Sequence, residues 1–265
     1  MDILQQIVRS RRRRLDSHFS PMQRAEVRAV LADMPPARSF LNALSGARDP
    51  VALIAEIKRR SPSRGDLCPD LDPSAVARLY EESGAHALSV LTEPDHFGGS
   101  FEDLEAARSA VSIPALAKDF TLFPEQIDLF RSHGADAILL IVRLLDPACI
   151  QECLVRTQEL GMTALVEIYA EKELEKLDLD QVQLLGVNSR DLVTFQVDRD
   201  RLGRVASRLR SREDILLIAE SGIRTRGDVE SAFRSGARGM LVGETLVTDP
   251  DPGGRIRALL GSEAS

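Results

Sequence analysis

The chain has 265 residues, 43% of them apolar and 28% charged, with a formal net charge of −7. That length is close to the ~250 residues of a single barrel of eight alternating strands and helices, and it can bury a sizeable core. The negative balance argues against general nucleic-acid binding, and no run approaches the ~18 apolar residues of a membrane span or forms a signal core.

Residues 1–48 stand outside the repeating part of the chain. Ile3, Leu4, Ile7 and Val8 give an amphipathic start, followed by Arg11-Arg12-Arg13-Arg14. The arginines read as a solvated helix face or as local attraction for an anionic substrate. They carry none of the interleaved aromatics of a nucleic-acid surface.

Eight strand-like runs then follow: Val51–Ile57, Ala87–Thr92, Ile113–Lys118, Ala137–Val142, Thr163–Ile168, Leu184–Asn188, Ile215–Glu220 and Gly239–Gly243. Helical patterns lie between them at Pro73–Ser83, Ser100–Ala110, Pro124–Ser132, Pro147–Leu160 and Thr225–Ser235. Asp72 is a candidate N-cap for the first of these helices. The alternation implies parallel strands with right-handed crossovers. Gly84-Ala85, Gly134-Ala135 and Gly236-Ala237 recur at helix-to-strand junctions, where a left-handed Gly would end the helix. Cys149 and Cys153 share one helix face and read as small buried groups rather than metal ligands. With Cys68 they make no disulfide framework, so a reducing, cytoplasmic setting is expected. The fold class is therefore α/β: a (β/α)8 TIM barrel at 49–265 with an N-terminal helical extension at 1–48.

Five of the runs end in a polar residue: Glu56 and Lys58, Lys118, Glu167, Asn188, and Glu220 with Ser221-Gly222. Polar residues at the C-terminal ends of barrel strands are where such folds place their chemistry. Glu56 and Lys58 are two apart and so face the same side. Lysines mixed with glutamates supply proton donors, acceptors and charges that tune both. A purely structural ion-pair network is the competing reading. Glycines after the last two strands, Gly222 and Gly243 (followed by Glu244), fit a phosphate held by backbone N–H groups. Ser61 after the first strand can add a hydroxyl. Asp95 and His96 lack a third metal ligand, and Gly98-Gly99 has no nucleotide-motif context.

These stretches together resemble the indole-3-glycerol-phosphate synthase family. The resemblance runs over nearly the whole chain, through Ile54-Ala55-Glu56-Ile57-Lys58-Arg59-Arg60-Ser61-Pro62-Ser63, Ser89-Val90-Leu91-Thr92-Glu93, Phe97-Gly98-Gly99-Ser100, Leu116-Ala117-Lys118-Asp119-Phe120, Leu165-Val166-Glu167, Gly186-Val187-Asn188-Ser189-Arg190-Asp191-Leu192, Glu220-Ser221-Gly222-Ile223 and Leu241-Val242-Gly243. It implies the substrate 1-(2-carboxyphenylamino)-1-deoxyribulose 5-phosphate, closed, decarboxylated and dehydrated to the indole without metal or organic cofactor. Lys118 would be the general acid for ring closure, and Glu167 an acid or base in dehydration. Lys58 would pair with the substrate carboxylate or serve as the dehydration acid. Glu56 would orient the lysines, and Asn188, Glu220 and Ser221 would position hydroxyls and ring. Ser61, Gly222, Gly243 and Glu244 would hold phosphate, with the Glu244 side chain turned away, and Arg190 would brace Asn188 or a loop. Pro62, Phe97, Phe120, Leu139 and Leu192 would wall the aromatic ring. Residues 1–48 would cover the barrel mouth. Ser189 and Glu244 stand where many members have Asn and Ser.

A sugar-phosphate isomerase, a Schiff-base aldolase using Lys118, and a non-catalytic barrel for a phosphate metabolite are the alternatives. The partner expected is a phosphorylated small molecule, with no nucleic acid and no membrane. The choice between monomer and weak homo-oligomer, and contact with pathway enzymes, stay open.

Overall fold

The computed structural model describes residues 3–18, 20–47, 51–191 and 196–262. Eight parallel strands close into a barrel: β1 (Ala52–Ile57), β2 (Ala87–Leu91), β3 (Ala115–Lys118), β4 (Ala137–Ile141), β5 (Thr163–Ile168), β6 (Leu184–Asn188), β7 (Leu216–Glu220) and β8 (Gly239–Val242). Each pairs with the next, and β8 returns to β1. All eight expected runs are strands, most trimmed at an end. The third begins at Ala115 because Pro114, with no N–H, cannot donate to the ladder.

Apolar residues of alternate parity form two cores. Ala52, Ile54, Leu116, Leu139, Leu165, Leu184 and Ile218 belong to an interior cluster. Leu53, Ala55, Leu88, Ala117, Val166 and Leu185 belong to a second cluster shared with the surrounding helices. This is why the runs read as apolar on both faces.

The five expected helices form at Pro73–Glu82, Phe101–Ala110, Glu125–Ser132, Pro147–Glu159 and Arg226–Arg234. Asp72 caps the first, accepting from Ser74 N–H at 2.9 Å and Ala75 N–H at 3.2 Å. Thr225 and Asp228 form a capping box on the last. Gly84, Gly134 and Gly236 have φ of 102°, 89° and 106°, and the alanine after each bonds back to the helix it leaves. Helices at Arg201–Arg208 and Pro252–Leu260 escape the sequence reading, and the β5–β6 crossover holds only short 3₁₀ turns.

Three helices precede the barrel: α1 (Ile3–His18), α2 (Pro21–Asp33) and α3 (Phe40–Ser45). In α1, Ile7, Arg11 and Leu15 form a buried stripe at i, i+4 and i+8. Arg11 corrects the reading of the four arginines as a solvated face. It is 2% exposed and donates to Asp119 at 2.7 Å, beside the end of β3. Arg12 and Arg13 are exposed, and Arg14 binds both Asp95 oxygens, at 3.0 and 2.9 Å. The segment before α3 meets the opposite end of the barrel. There Arg38 N–H donates to Asp136, just ahead of β4, at 2.8 Å. Phe40 and Leu44 of α3 then join the interior cluster. Phe40 is fully buried, so Phe40→Ala should cost about 3–5 kcal/mol, read as a lowered denaturant midpoint with an unchanged m-value.

Candidate active site

Strand parity decides which side chains meet at the barrel axis. Ile54, Leu116, Leu165, Leu184, Ile218 and Leu241 are interior. Two residues further along each strand, on the same face, come Glu56, Lys118, Glu167, Gly186, Glu220 and Gly243. Lys58 follows Glu56 by two, and Asn188 follows Gly186 by two. The alternation that fills the barrel with leucine and isoleucine therefore brings the charged residues together at its C-terminal end.

Two ion pairs result. Lys58 Nζ donates to Glu56 Oε1 at 2.6 Å. Lys118 Nζ stands 3.4 Å from Glu167 Oε2, longer than an ordinary N–H···O bond, so the ammonium is paired without being saturated. A polar chain runs along the far side. Asn188 Nδ2 donates to the Tyr169 hydroxyl at 3.2 Å, and Asn188 Oδ1 accepts from Ser221 Oγ at 2.9 Å and from Arg190 N–H at 3.0 Å. The Arg201 guanidinium donates to the Asn188 carbonyl. Ser221 has φ +67°, a left-handed conformation that non-glycine residues adopt at a cost.

Burial sets the electrostatics. It disfavours the Lys118 ammonium, but the carboxylates of Glu167, Glu220 and Glu56 outweigh it and raise the Lys118 pKa above the ordinary lysine value. Burial also opposes the Glu167 carboxylate, yet Lys118 overcomes it and holds Glu167 below its ordinary value. Glu220 moves the other way: burial, then the Glu167 charge, push it well above the usual carboxylate range. Burial and Glu167 push the Tyr169 phenol up as well.

These groups edge a cavity of about 190 Å³. Of the residues singled out in the sequence, Glu56, Lys58, Ser61, Pro62, Phe97, Lys118, Phe120, Leu139, Asn188, Arg190, Glu220, Ser221, Gly222, Gly243 and Glu244 line it. Glu167 lies outside that lining, fully buried behind Lys118. Leu192 is outside the described residues. Ile3, Leu4 and Ile7 of α1 supply an apolar wall, and Phe97 and Phe120 lie with ring centroids 6.0 Å apart. His96 stands 3.3 Å from Glu93, outside the lining.

The Glu244 carboxylate is not turned into open solvent. It lies 3.0 Å from the Arg64 guanidinium and 4.0 Å from that of Arg190. This joins the loop after β1 to the loops after β6 and β8. Ser189 is buried, its N–H bonded to the Glu220 carbonyl at 3.0 Å. Among the described residues no group of three or more His, Cys, Asp or Glu is arranged to hold a metal, and no helix is long and apolar enough to cross a membrane.

Some participants escape sequence reasoning. Tyr169 lies two residues past Glu167, and the same i, i+2 rule would have found it. Gly186 sits inside a buried strand, where a glycine signals close approach; a Cβ there would collide with the Glu220 carboxylate, as one at Gly243 would with that of Glu56. Arg64 carries no such signal, because its partner is 180 positions away in sequence.

Comparison with known proteins gives the family of the chain. The sequence model of the indole-3-glycerol phosphate synthase family matches residues 4–259. The chain is 46% identical to indole-3-glycerol phosphate synthase of Mycobacterium ulcerans, over 89% of this chain and 85% of that one. It is 47% identical to that of Mycolicibacterium gilvum and 44% to that of Mycobacterium leprae, over the same shares. From β1 to β8, then, the barrel carries the sequence of one enzyme family, and the chain belongs to the indole-3-glycerol phosphate synthases.

Proposed function

We propose that this barrel converts 1-(2-carboxyphenylamino)-1-deoxyribulose 5-phosphate to indole-3-glycerol phosphate, with Lys118 as the acid of ring closure. The observation that carries the assignment is Lys118 itself, a largely buried ammonium among carboxylates at the edge of the cavity. The ring carbon bearing the carboxylate attacks the ribulose carbonyl, and the oxygen gathers negative charge. An alkoxide is a far stronger base than any amine, so a proton moves downhill to it even from a lysine with a raised pKa. Carbon dioxide then leaves and aromaticity returns. Loss of the hydroxyl and the neighbouring C–H proton completes the indole.

The other groups divide the remaining work. Lys58, bridged to Glu56, meets the substrate carboxylate or protonates the departing hydroxyl. Glu167 keeps Lys118 charged and takes part in the dehydration proton transfer. Asn188 and Ser221, bonded to each other, position the sugar hydroxyls. Ser61, Gly222, Gly243 and Glu244 hold the phosphate, whose binding energy is available to orient the distant reacting atoms. Pro62, Phe97, Phe120 and Leu139 wall the aromatic ring, and the N-terminal segment, through α1, covers the mouth and excludes water. A Schiff-base role for Lys118 needs a neutral amine, which the surrounding carboxylates oppose.

The direct test is indole fluorescence on mixing protein and substrate in the presence of a chelator: a rise proportional to enzyme supports the assignment, and no rise from folded protein removes it. Lys118→Met should lower kcat by about 10²–10⁴-fold with substrate binding largely kept, checked by single-turnover kinetics and titration. Glu167→Gln should slow turnover without shifting the thermal midpoint by more than a few degrees. Gly243→Ala should displace the Glu56 carboxylate from Lys58 and cost about 10²-fold in kcat/KM, with the circular dichroism spectrum unchanged.

A further inference from the structure

We propose that Glu220 is a neutral carboxylic acid in the resting barrel and that it donates its proton to the Glu167 carboxylate, so that the two side chains act as one acid–base unit. The proposal deepens the synthase reading of this site, and its structural part stands without it.

Four observations meet here. Glu167 is fully buried and Glu220 is 2% exposed. Oε1 of each, both buried, has no hydrogen-bond partner among the described residues. Gly186 on β6 lies in register with Glu167 on β5, and the space where its Cβ would stand is taken by Glu220 Oε1. The Glu220 side chain, rising from β7, therefore leans across β6 toward Glu167. Finally, two lysines, Lys58 and Lys118, stand among three glutamates, Glu56, Glu167 and Glu220, leaving one of these carboxylates in excess if all are ionised.

Two carboxylates can only accept. Left ionised, the two bare oxygens would stay unsatisfied in a dry site while the two neighbouring charges repel, at the full cost of desolvation and repulsion. One proton removes both costs, because it turns one acceptor into a donor. It also balances the charge, two ammoniums against two carboxylates. Glu167 has the Lys118 ammonium at 3.4 Å and is the member kept ionised. Among the described residues Glu220 has no such cation at ion-pairing distance, and it holds the proton. The directions of the two pKa shifts, Glu220 up and Glu167 down, agree with this division. The other groups that act on the pair are Glu56 from β1, itself paired with Lys58, Lys118 from β3, and Tyr169 after β5, which is bonded to Asn188 from β6 and stacked under Arg143.

The consequence concerns position. Glu220 lines the cavity and Glu167 does not, so substrate meets the protonated member while the charged one holds Lys118 from behind. Glu220 is thus a positioning residue for Glu167, and the pair titrates as a unit.

The test is an infrared difference spectrum of resting protein, wild type minus Glu220→Gln, at neutral pH. The expected result is a protonated-carboxyl C=O band in the wild type, shifted in D₂O and lost in the variant. Kinetics give the second arm. A Gln side chain retains an N–H donor for Glu167, so Glu220→Gln should lose about tenfold less kcat than Glu220→Ala. Its alkaline limb in kcat/KM should disappear, since the variant has no proton to lose. No protonated-carboxyl band, or a band that survives Glu220→Gln in folded protein, overturns the proposal, as does equal impairment of the Gln and Ala variants. Wild-type protein that shows the band but never turns over would remove the synthase reading instead.

Discussion

Closure of the barrel is what allows three buried glutamates and two largely buried lysines to be gathered together. A buried charge is costly alone, and a buried ion pair breaks even only when geometry and further partners compensate its lost hydration. Here the compensation is collective. Lys118 on β3 feels the Glu167 charge from β5 and the Glu56 charge from β1, with the Glu220 carboxyl from β7 beside them, so its charge is supported from around the ring. The proposed acid role of Lys118, the lowered pKa of Glu167 and the proton proposed on Glu220 all rest on that single crowding of charge. No one strand carries enough of it to do the same.

The N-terminal helices join the barrel at both ends. α3 places Phe40 and Leu44 in the interior cluster, approached from the end marked by Asp136. α1 reaches the mouth, where Arg11 is bound to Asp119 and Thr92 Oγ1 donates to the same carboxylate oxygen at 2.6 Å. The other Asp119 oxygen accepts from the Phe120 N–H at 2.7 Å. One buried carboxylate thus ties α1 to the residues on either side of it, Lys118 and Phe120, the proposed proton donor and a wall of the cavity. Removing either partner would leave a buried charge uncompensated, which costs more than the pair gains over water.

Across the same mouth, Glu244 brings a negative charge into the region proposed to hold an anion. Its pairing with Arg64 and Arg190 neutralises it locally. The same contacts gather three loops that a phosphate would otherwise have to order on arrival. Backbone N–H groups and nearby guanidiniums can therefore serve an anion even where the first side chain after the strand is acidic.

The sequence by itself determined the strands, their order and the face on which chemistry occurs. Runs of buried apolar residues, junction glycines and N-caps are local signals, and a period of two fixes which residues share a face. Glu56, Lys118, Glu167, Asn188 and Glu220 were legible for that reason, and the family resemblance supplied the reaction. What only the tertiary structure decided is which of those charges touch. Lys118 with Glu167, Glu220 leaning over Gly186, Arg11 with Asp119 and Arg64 with Glu244 are contacts between distant positions, set by barrel stagger and by the space glycines leave. Charge in a protein interior is governed by distance and burial, neither of which a linear pattern encodes. The sequence could therefore name the titrating groups, while their protonation and division of labour emerged only when the ring closed.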